Sequence, residues 1–293
     1  MTNLLEETRV LKQLYREGGR DLCLSGKNMA LLFEKPSCRT RISFQVAWAQ
    51  LGGSNIYIRP EDIGGLGRRE PIKDLARVLN GYVDVIVART YTHKSVTELA
   101  QHATVPVVNA LTDLAHPCQA MADMLTIQEH LGRLEGVRLA YVGDGNNVAL
   151  SLALACGRLG LTFVMASPEK YTFGEEVRRR LYSQMAAEQL ILMTDPVEAV
   201  RGADIVYTDT WTSMGQEGEK EQRIQDFEGY QVNRSLMEAA GAEARVMHCL
   251  PAYRGLEITD DVIESSQSIV FDQAENRLHF QRALLKYLVL GQE

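Results

Sequence analysis

The chain has 293 residues, 45% of them hydrophobic and 24% charged, an ordinary soluble composition with enough length for two domains and a large core that needs neither disulfides nor structural metals. Its formal net charge of −7 argues against a dedicated nucleic-acid binder, although local arginines can still hold an anionic substrate. No apolar run approaches the ~20 residues of a membrane helix, and the N-terminus MTNLLEETRVLKQLYREGG is too charged for a signal peptide and too acidic for a transit peptide. Five cysteines at 23, 38, 118, 156 and 249, with no CxxC pair, suggest reduced thiols and a cytoplasmic protein.

Short apolar runs alternate with longer amphipathic stretches, the α/β signature. The predicted strands are Met29–Phe33, Val83–Ala88 and Val105–Val108, then Val137–Val142, Thr162–Ala166, Leu190–Met193, Ile205–Thr208, Arg245–Met247 and Ile269–Phe271. Most are rich in Val, Ile and Leu without strict alternation, which suits parallel strands buried on both faces. Predicted helices are Ile42–Leu51, stopped by Gly52-Gly53, then Ala120–His130, Ala149–Leu159 before Gly160, and a last one over about Gln273–Leu290. The domain boundary is expected near Gly132–Gly136, giving domains over 1–132 and 133–272, with a terminal helix at about 273–293 assigned back to the first.

Six clusters carry polar chemistry. Phe33–Arg41 follows a strand and opens a helix, whose N-terminal N–H groups suit phosphate, and Ser37, Arg39 and Thr40 add donors. A capped surface helix with solvated arginines is the alternative. Arg89 stands at a strand's C-terminal end, where open α/β sheets bind ligands. His116-Pro117-Cys118-Gln119 starts a helix; His116 can donate to a developing oxyanion and Gln119 can read an amide, while a helix-capping His116 or a Cys118 nucleophile with His116 as base are rivals.

Gly143-Asp144-Gly145-Asn146-Asn147 resembles a dinucleotide turn, but Val148 replaces the last glycine of GxGxxG and the next strand ends Ala166-Ser167-Pro168, without the ribose-binding acid. A turn offering asparagine amides to a small polar substrate fits better. Asp209–Gly215 lies beyond another strand end, where a carboxylate can pair with an ammonium, and the polar run from Gln216 to Arg223 reads as a lid or as a solvated loop. In His248-Cys249-Leu250-Pro251, neighbouring side chains on a strand face opposite ways, so a shared metal ion is not expected.

Together these clusters resemble the aspartate/ornithine carbamoyltransferase family, from Phe33 to about Leu285. Ser37, Arg39 and Thr40 match its Ser-x-Arg-Thr loop, with Cys38 in place of the usual threonine, and His116, Pro117 and Gln119 match His-Pro-x-Gln. Asp209, Ser213, Met214 and Gly215 match the Asp-x-x-x-Ser-Met-Gly loop, and 248–251 the His-Cys-Leu-Pro motif, of the branch that uses ornithine. Aspartate-using members lack the Ser-Met-Gly loop; putrescine- and N-acetylornithine-using relatives differ within it.

The resemblance implies two doubly wound domains with mainly parallel sheets, linked by two interdomain helices, with substrates between them. It implies carbamoyl transfer to the side-chain amine of L-ornithine, giving L-citrulline, without cofactor or metal. Ser37, Cys38, Arg39, Thr40, Arg89, His116, Gln119 and Arg277 would bind carbamoyl phosphate; Asn147, Asp209, Ser213, Met214, Cys249 and Leu250 would bind ornithine; Arg89, His116, Thr40 and Cys249 would be catalytic. It also implies a homo-oligomer, a trimer or a multiple of one. One departure stands out. Relatives place glutamine or histidine five residues before the glutamate matching Glu70, where it reaches carbamoyl phosphate in a neighbouring subunit; here it is Gly65, and a backbone amide, Arg68 or Arg69 are the candidate substitutes. A carbamoyltransferase for another amine acceptor (putrescine or N-acetylornithine), a non-catalytic relative and, further off, a nicotinamide-dependent dehydrogenase are the competing readings.

Overall fold

The computed structural model describes residues 1–212 and 215–291. It divides into two compact units, Met1–Ala122 with the chain from Asn276 onward, and Asp123–Glu275. The chain begins with α1 (Thr2–Arg16), β1 (Asn28–Phe33), α2 (Cys38–Gln50), β2 (Ser54–Ile58), α3 (Pro60–Ile63), α4 (Ile72–Asn80), β3 (Val85–Arg89), α5 (His93–His102), β4 (Val107–Leu111) and α6 (Pro117–Leu131). There follow β5 (Arg138–Val142), α7 (Asn147–Leu159), β6 (Thr162–Ala166), α8 (Glu175–Tyr182), β7 (Leu190–Met193), α9 (Pro196–Val200), β8 (Ile205–Thr208), α10 (Lys220–Asp226), α11 (Arg234–Ala240), β9 (Arg245–His248), α12 (Asp260–Ile263) and α13 (Val270–Leu290). The units divide inside α6 and again inside α13, so the first division falls at Ala122/Asp123, ahead of the glycines at 132–136.

The first sheet has the order β2-β1-β3-β4 with every pair parallel. Ala30, Leu32, Ile86 and Ala88 on one face pack with Ile72, Leu75 and Leu79 of α4 and Val96 and Leu99 of α5. Met29, Leu31 and Phe33 alternate onto the other face and are equally buried, which explains why β1 reads as a continuous apolar run. α13 is tied to this unit by Lys12 Nζ to Asn276 Oδ1 at 2.7 Å, Arg282 Nη1 to Gln50 Oε1 at 2.8 Å and Lys286 Nζ to Glu7 Oε1 at 2.9 Å.

The second sheet has the order β7-β6-β5-β8-β9, again all parallel. One face carries Ala140, Val142, Val164, Val206 and Val246 against α9, α11 and α12. The other stacks Tyr141 on Phe163 and on Tyr207, with ring centroids 6.1 and 5.8 Å apart. Each fully buried side chain of this size contributes roughly 1.5–3 kcal/mol, so two such cores hold without cross-links.

Two expectations about elements are corrected. β2 lies in the stretch after Gly52-Gly53 where no strand is predicted; it is an edge strand whose mixed, half-buried residues make no apolar run. Ile269–Phe271 is no strand: Ser268 makes a single bridge to Val246 and α13 begins at Val270. Among the described residues, no helix is long and apolar enough to cross a membrane.

The strand orders show where the loops part. Strand order reverses between β1 and β3 in the first sheet and between β5 and β8 in the second. Loops leaving adjacent strands in opposite directions open a crevice at such points, beyond the C-terminal strand ends.

Candidate active site

At the β1/β3 reversal, β1 delivers Glu34–Ser37 and β3 ends on Arg89. Ser37 is the N-cap of α2, and its Oγ accepts from Thr40 N at 3.4 Å. Thr40 is buried, and its Oγ1 accepts from three directions: Ser37 Oγ at 3.0 Å, Arg89 Nη1 at 3.5 Å and Arg277 Nη2 of α13 at 2.8 Å. Arg89 and Arg277 are 5% and 4% exposed, too little for solvated surface arginines. Arg39 is half-buried, and its Nε is shielded from water with no acceptor among the described residues. Cys38 is exposed. Arg39 in the first turn of α2, with Arg89 and Arg277 meeting at Thr40, gathers three guanidinium groups in a chain of net charge −7, the kind of charge a compact dianion needs.

His116 and Gln119 are buried in the same unit, at the start of α6. Burial, with the charges of Arg277 and Arg89 adding to it, holds the His116 imidazole well below the ordinary histidine range. It is therefore neutral at physiological pH and has one N–H to donate. Burial pushes the Cys118 thiol up to about 12, and its Sγ faces the Asn109 carbonyl at 3.5 Å. With its Sγ turned onto the Asn109 carbonyl and burial disfavouring the thiolate, the structure speaks against Cys118 as a nucleophile.

At the β5/β8 reversal, Asp209 follows β8 and is 6% exposed. Its carboxylate accepts from Asn146 Nδ2 at 2.9 Å, Thr210 N at 2.8 Å and Cys249 Sγ at 3.1 Å. Asn146 also caps α7, its Oδ1 accepting from Val148 N at 2.9 Å and Ala149 N at 3.1 Å. Those amides would have to serve a pyrophosphate in a dinucleotide site, and they are taken. Asn147 is the first residue of α7, half-buried beside them. Ser213 and Met214 lie outside the described residues.

β9 ends at His248, and the chain then turns, with Leu250 at φ 57° and a cis bond to Pro251. This turn corrects the expectation that His248 and Cys249 face opposite ways: donor atoms of Asp209, His248 and Cys249 lie within 4.8 Å of one another. Both His248 nitrogens are nonetheless engaged, Nδ1 accepting from Leu250 N at 2.8 Å and Nε2 set 3.1 Å from the buried Glu257 carboxylate. The cluster is built as a hydrogen-bonded network around the turn rather than as an open coordination site.

Residues 1–129 match the family described as aspartate/ornithine carbamoyltransferase, carbamoyl-P binding domain, and residues 135–288 match aspartate/ornithine carbamoyltransferase, Asp/Orn binding domain. The chain belongs to the aspartate/ornithine carbamoyltransferase family. The anabolic ornithine carbamoyltransferase of Pyrococcus furiosus is 51% identical over 291 residues, covering 98% of this chain and 91% of the relative. The Bacillus subtilis ornithine carbamoyltransferase is 48% identical over 266 residues, 90% of this chain and 83% of its own. The solved Pyrococcus furiosus ornithine carbamoyltransferase superposes with a TM-score of 0.95 at 49% identity, over 99% of this chain and 93% of that one. A mitochondrial ornithine carbamoyltransferase from Coccidioides immitis reaches 0.89 at 34% identity, over 98% and 92%.

Within this carbamoyltransferase fold, Gly65 has a local physical reason. Its φ is +87°, between Gly64 at +67° and Gly67 at +71°, and a Cβ there would lie 2.9 Å from Arg68 Cδ. A glutamine or histidine would be strained in this backbone. Arg68 and Arg69 beside it are exposed.

One residue that sequence reasoning misplaced is Arg223. Read as the end of a solvated or lid-like run, it is 5% exposed on α10. Its Nη1 donates to Asp144 Oδ2 at 3.1 Å and to the Trp211 carbonyl at 3.0 Å, and its guanidinium lies 4.6 Å from the Tyr171 ring centroid. It thus joins the turn after β5 to the loop after β8. Burial pushes Asp144 up to about 6, even with Arg223 against it. The available signal was Asp144 itself, an acid in a tight turn that needs a cation when buried.

Proposed function

We propose that this chain transfers the carbamoyl group of carbamoyl phosphate to the side-chain amine of L-ornithine, giving L-citrulline and phosphate. The observation that carries the reading is a division of charge between the two switch-point sites: guanidinium groups around Thr40 on one, a carboxylate held by Asn146 and Cys249 on the other. The first suits a carbamoyl phosphate dianion, the second the ammonium of an amino acid.

In this reading Ser37, Cys38, Arg39, Thr40 and Arg277 hold the phosphate, through the α2 N-terminus and charge-assisted hydrogen bonds. Arg89, neutral His116 and Thr40 face the carbamoyl oxygen and stabilise its developing negative charge, and Gln119 reads the carbamoyl amide. The ornithine amine must be neutral to attack, and desolvation lowers its pKa from the free value of about 10.4. It adds to the carbonyl carbon, the carbon–oxygen bond to phosphate breaks, and the amine proton leaves with the phosphate. No bond to the protein forms, so catalysis is positioning and electrostatics. Asn147, Asp209, Ser213, Met214 and Leu250 are assigned to the amino-acid end of ornithine, and Cys249 to its reacting amine.

The test is stoichiometry. Citrulline and phosphate should appear one for one from carbamoyl phosphate and ornithine; phosphate release without citrulline would leave only a carbamoyl phosphate hydrolase. The same assay excludes a non-catalytic relative.

The acceptor assignment extends to Arg223. Arg223→Gln unties the turn after β5 from the loop after β8, and even with Asp144 taking up a proton the lost buried hydrogen bonds cost up to about 3 kcal/mol. The expected result is a ten- to hundredfold rise in KM for ornithine, of the order that a share of that cost produces, with carbamoyl phosphate affinity unchanged. Equal losses for both substrates in steady-state kinetics would show a general defect instead.

The proposal includes a role in arginine biosynthesis, in line with the word anabolic in the name of the Pyrococcus furiosus relative, together with a cytoplasmic location and assembly as a trimer or a multiple of one. Sedimentation of active protein should give that stoichiometry. A fully active monomer would remove the assembly from the account, and Gly65 sharpens the point because it offers no side chain to a neighbour.

A further inference from the structure

β9 is an edge strand, and its outer edge must find partners for alternate N–H groups. Val246 N finds the Gln267 carbonyl at 2.9 Å, and Ile269 N returns to the Val246 carbonyl at 3.1 Å. A continued parallel ladder would next offer the Ile269 carbonyl to His248 N. That carbonyl is already spent on Gln273 N, at 2.9 Å, in the first turn of α13. The side chain of Gln273 takes its place: Oε1 accepts from His248 N at 2.9 Å.

A side-chain amide does this only if it is turned the right way, and two buried groups turn it. Gln273 Nε2 donates to Asp123 Oδ1 at 2.8 Å and to Tyr207 Oη at 3.0 Å, and Tyr207 Oη donates to Asp123 Oδ2 at 3.0 Å. Asp123, Tyr207 and Gln273 are each 0% exposed. Burial raises the Tyr207 phenol well above its ordinary range, so it keeps its proton for Asp123. A carboxylate accepts and does not donate, so the amide nitrogen must face Asp123 and the amide oxygen must face His248. The next residue along is Cys249, whose Sγ lies 3.1 Å from Asp209 Oδ1.

We propose that Gln273, oriented by Asp123 and Tyr207, is a positioning residue that sets the register of the His248–Pro251 turn and so places Cys249 against Asp209. It touches no substrate; it acts through the His248 backbone. The proposal deepens the carbamoyl-transfer reading and rests on it for the kinetic outcome.

The test uses the full-length protein with Gln273→Met, which keeps the volume and removes the amide, and Gln273→Glu, which can share one proton with Asp123 and still accept from His248 N. Gln273→Met should lower kcat/KM for ornithine about tenfold or more, the scale of one buried hydrogen bond left unmade, with carbamoyl phosphate affinity within about twofold. Gln273→Glu should recover a large part of that loss. In parallel, the alkylation rate of Cys249 by iodoacetamide, read on its own peptide by mass spectrometry, should change in Gln273→Met and return towards wild type in Gln273→Glu. Acceptor kinetics within about twofold of wild type, an unchanged alkylation rate, or an equal fall in carbamoyl phosphate affinity would each overturn the positioning role, these margins being set against tenfold per 1.4 kcal/mol. Should Gln273→Met not fold, Asp123→Asn carries the same measurements, because its amide no longer dictates which way Gln273 turns. A wild-type protein that makes no citrulline overturns the functional reading instead, and the alkylation rates still report whether Gln273 places the turn.

Discussion

Arg39→Ala is expected to abolish most activity, with kcat/KM for carbamoyl phosphate falling about 10²–10³-fold, the cost of truncating one partner of a desolvated, hydrogen-bonded charge pair. Arg39 follows the α2 N-cap, and its Nε is shielded from water without an acceptor among the described residues. Such a donor is costly to bury unless a ligand completes it. Arg89 and Arg277 already donate to Thr40 Oγ1, so they have a structural duty besides any ligand. Arg39 is therefore the cleanest probe of phosphate binding. Calorimetry with carbamoyl phosphate alone should show the loss directly. Affinity and turnover both near wild type would mean that Arg39 is not the anchor.

Asp209→Asn should cost still more on the acceptor side, about 10³-fold or more in kcat/KM for ornithine, because a buried charge partner is removed and an amide replaces an all-acceptor group. The three groups that meet Asp209, from Asn146, Thr210 and Cys249, all approach as donors. An asparagine can turn its oxygen to one side only, so either orientation sets N–H against N–H or S–H. The variant thus loses the ammonium partner and loosens the turn that carries it. Its remaining activity should discriminate less between ornithine and N-acetylornithine, whose α-nitrogen carries no charge. An unchanged preference, measured as the ratio of the two kcat/KM values, would remove Asp209 from acceptor recognition.

Much of this site was legible because strand ends announce themselves. β1, β3, β5 and β8 are apolar runs that stop abruptly at Glu34, Arg89, Gly143 and Asp209, and the polar residues from there on are those gathered at the two reversals. The pairing order of the strands was not legible, because parallel neighbours distant in sequence leave no local trace. Arg277 entered only through family resemblance; on α13 it is one polar residue in a long helix, and only the fold carries its Nη2 to Thr40. Arg223, Glu257 and Gln273 were hidden for a related reason. A buried polar side chain is identified by its partner, and their partners, Asp144, His248 and Asp123, stand 79, 9 and 150 positions away. The strand expected at Ile269–Phe271 failed because three apolar residues fit a buried helix start as well as a strand.

Steady-state kinetics with three acceptors decide whether the carbamoyl group goes to ornithine. Putrescine lacks the carboxylate that the remaining donors would meet, and N-acetylornithine lacks the ammonium charge assigned to Asp209. A site built around buried polar groups rejects analogues that leave them unsatisfied, by about 10⁴-fold in favourable cases. The expected result is citrulline from ornithine with kcat/KM far above that of either analogue. Equal kcat/KM for putrescine and ornithine, or no citrulline at all, would contradict it.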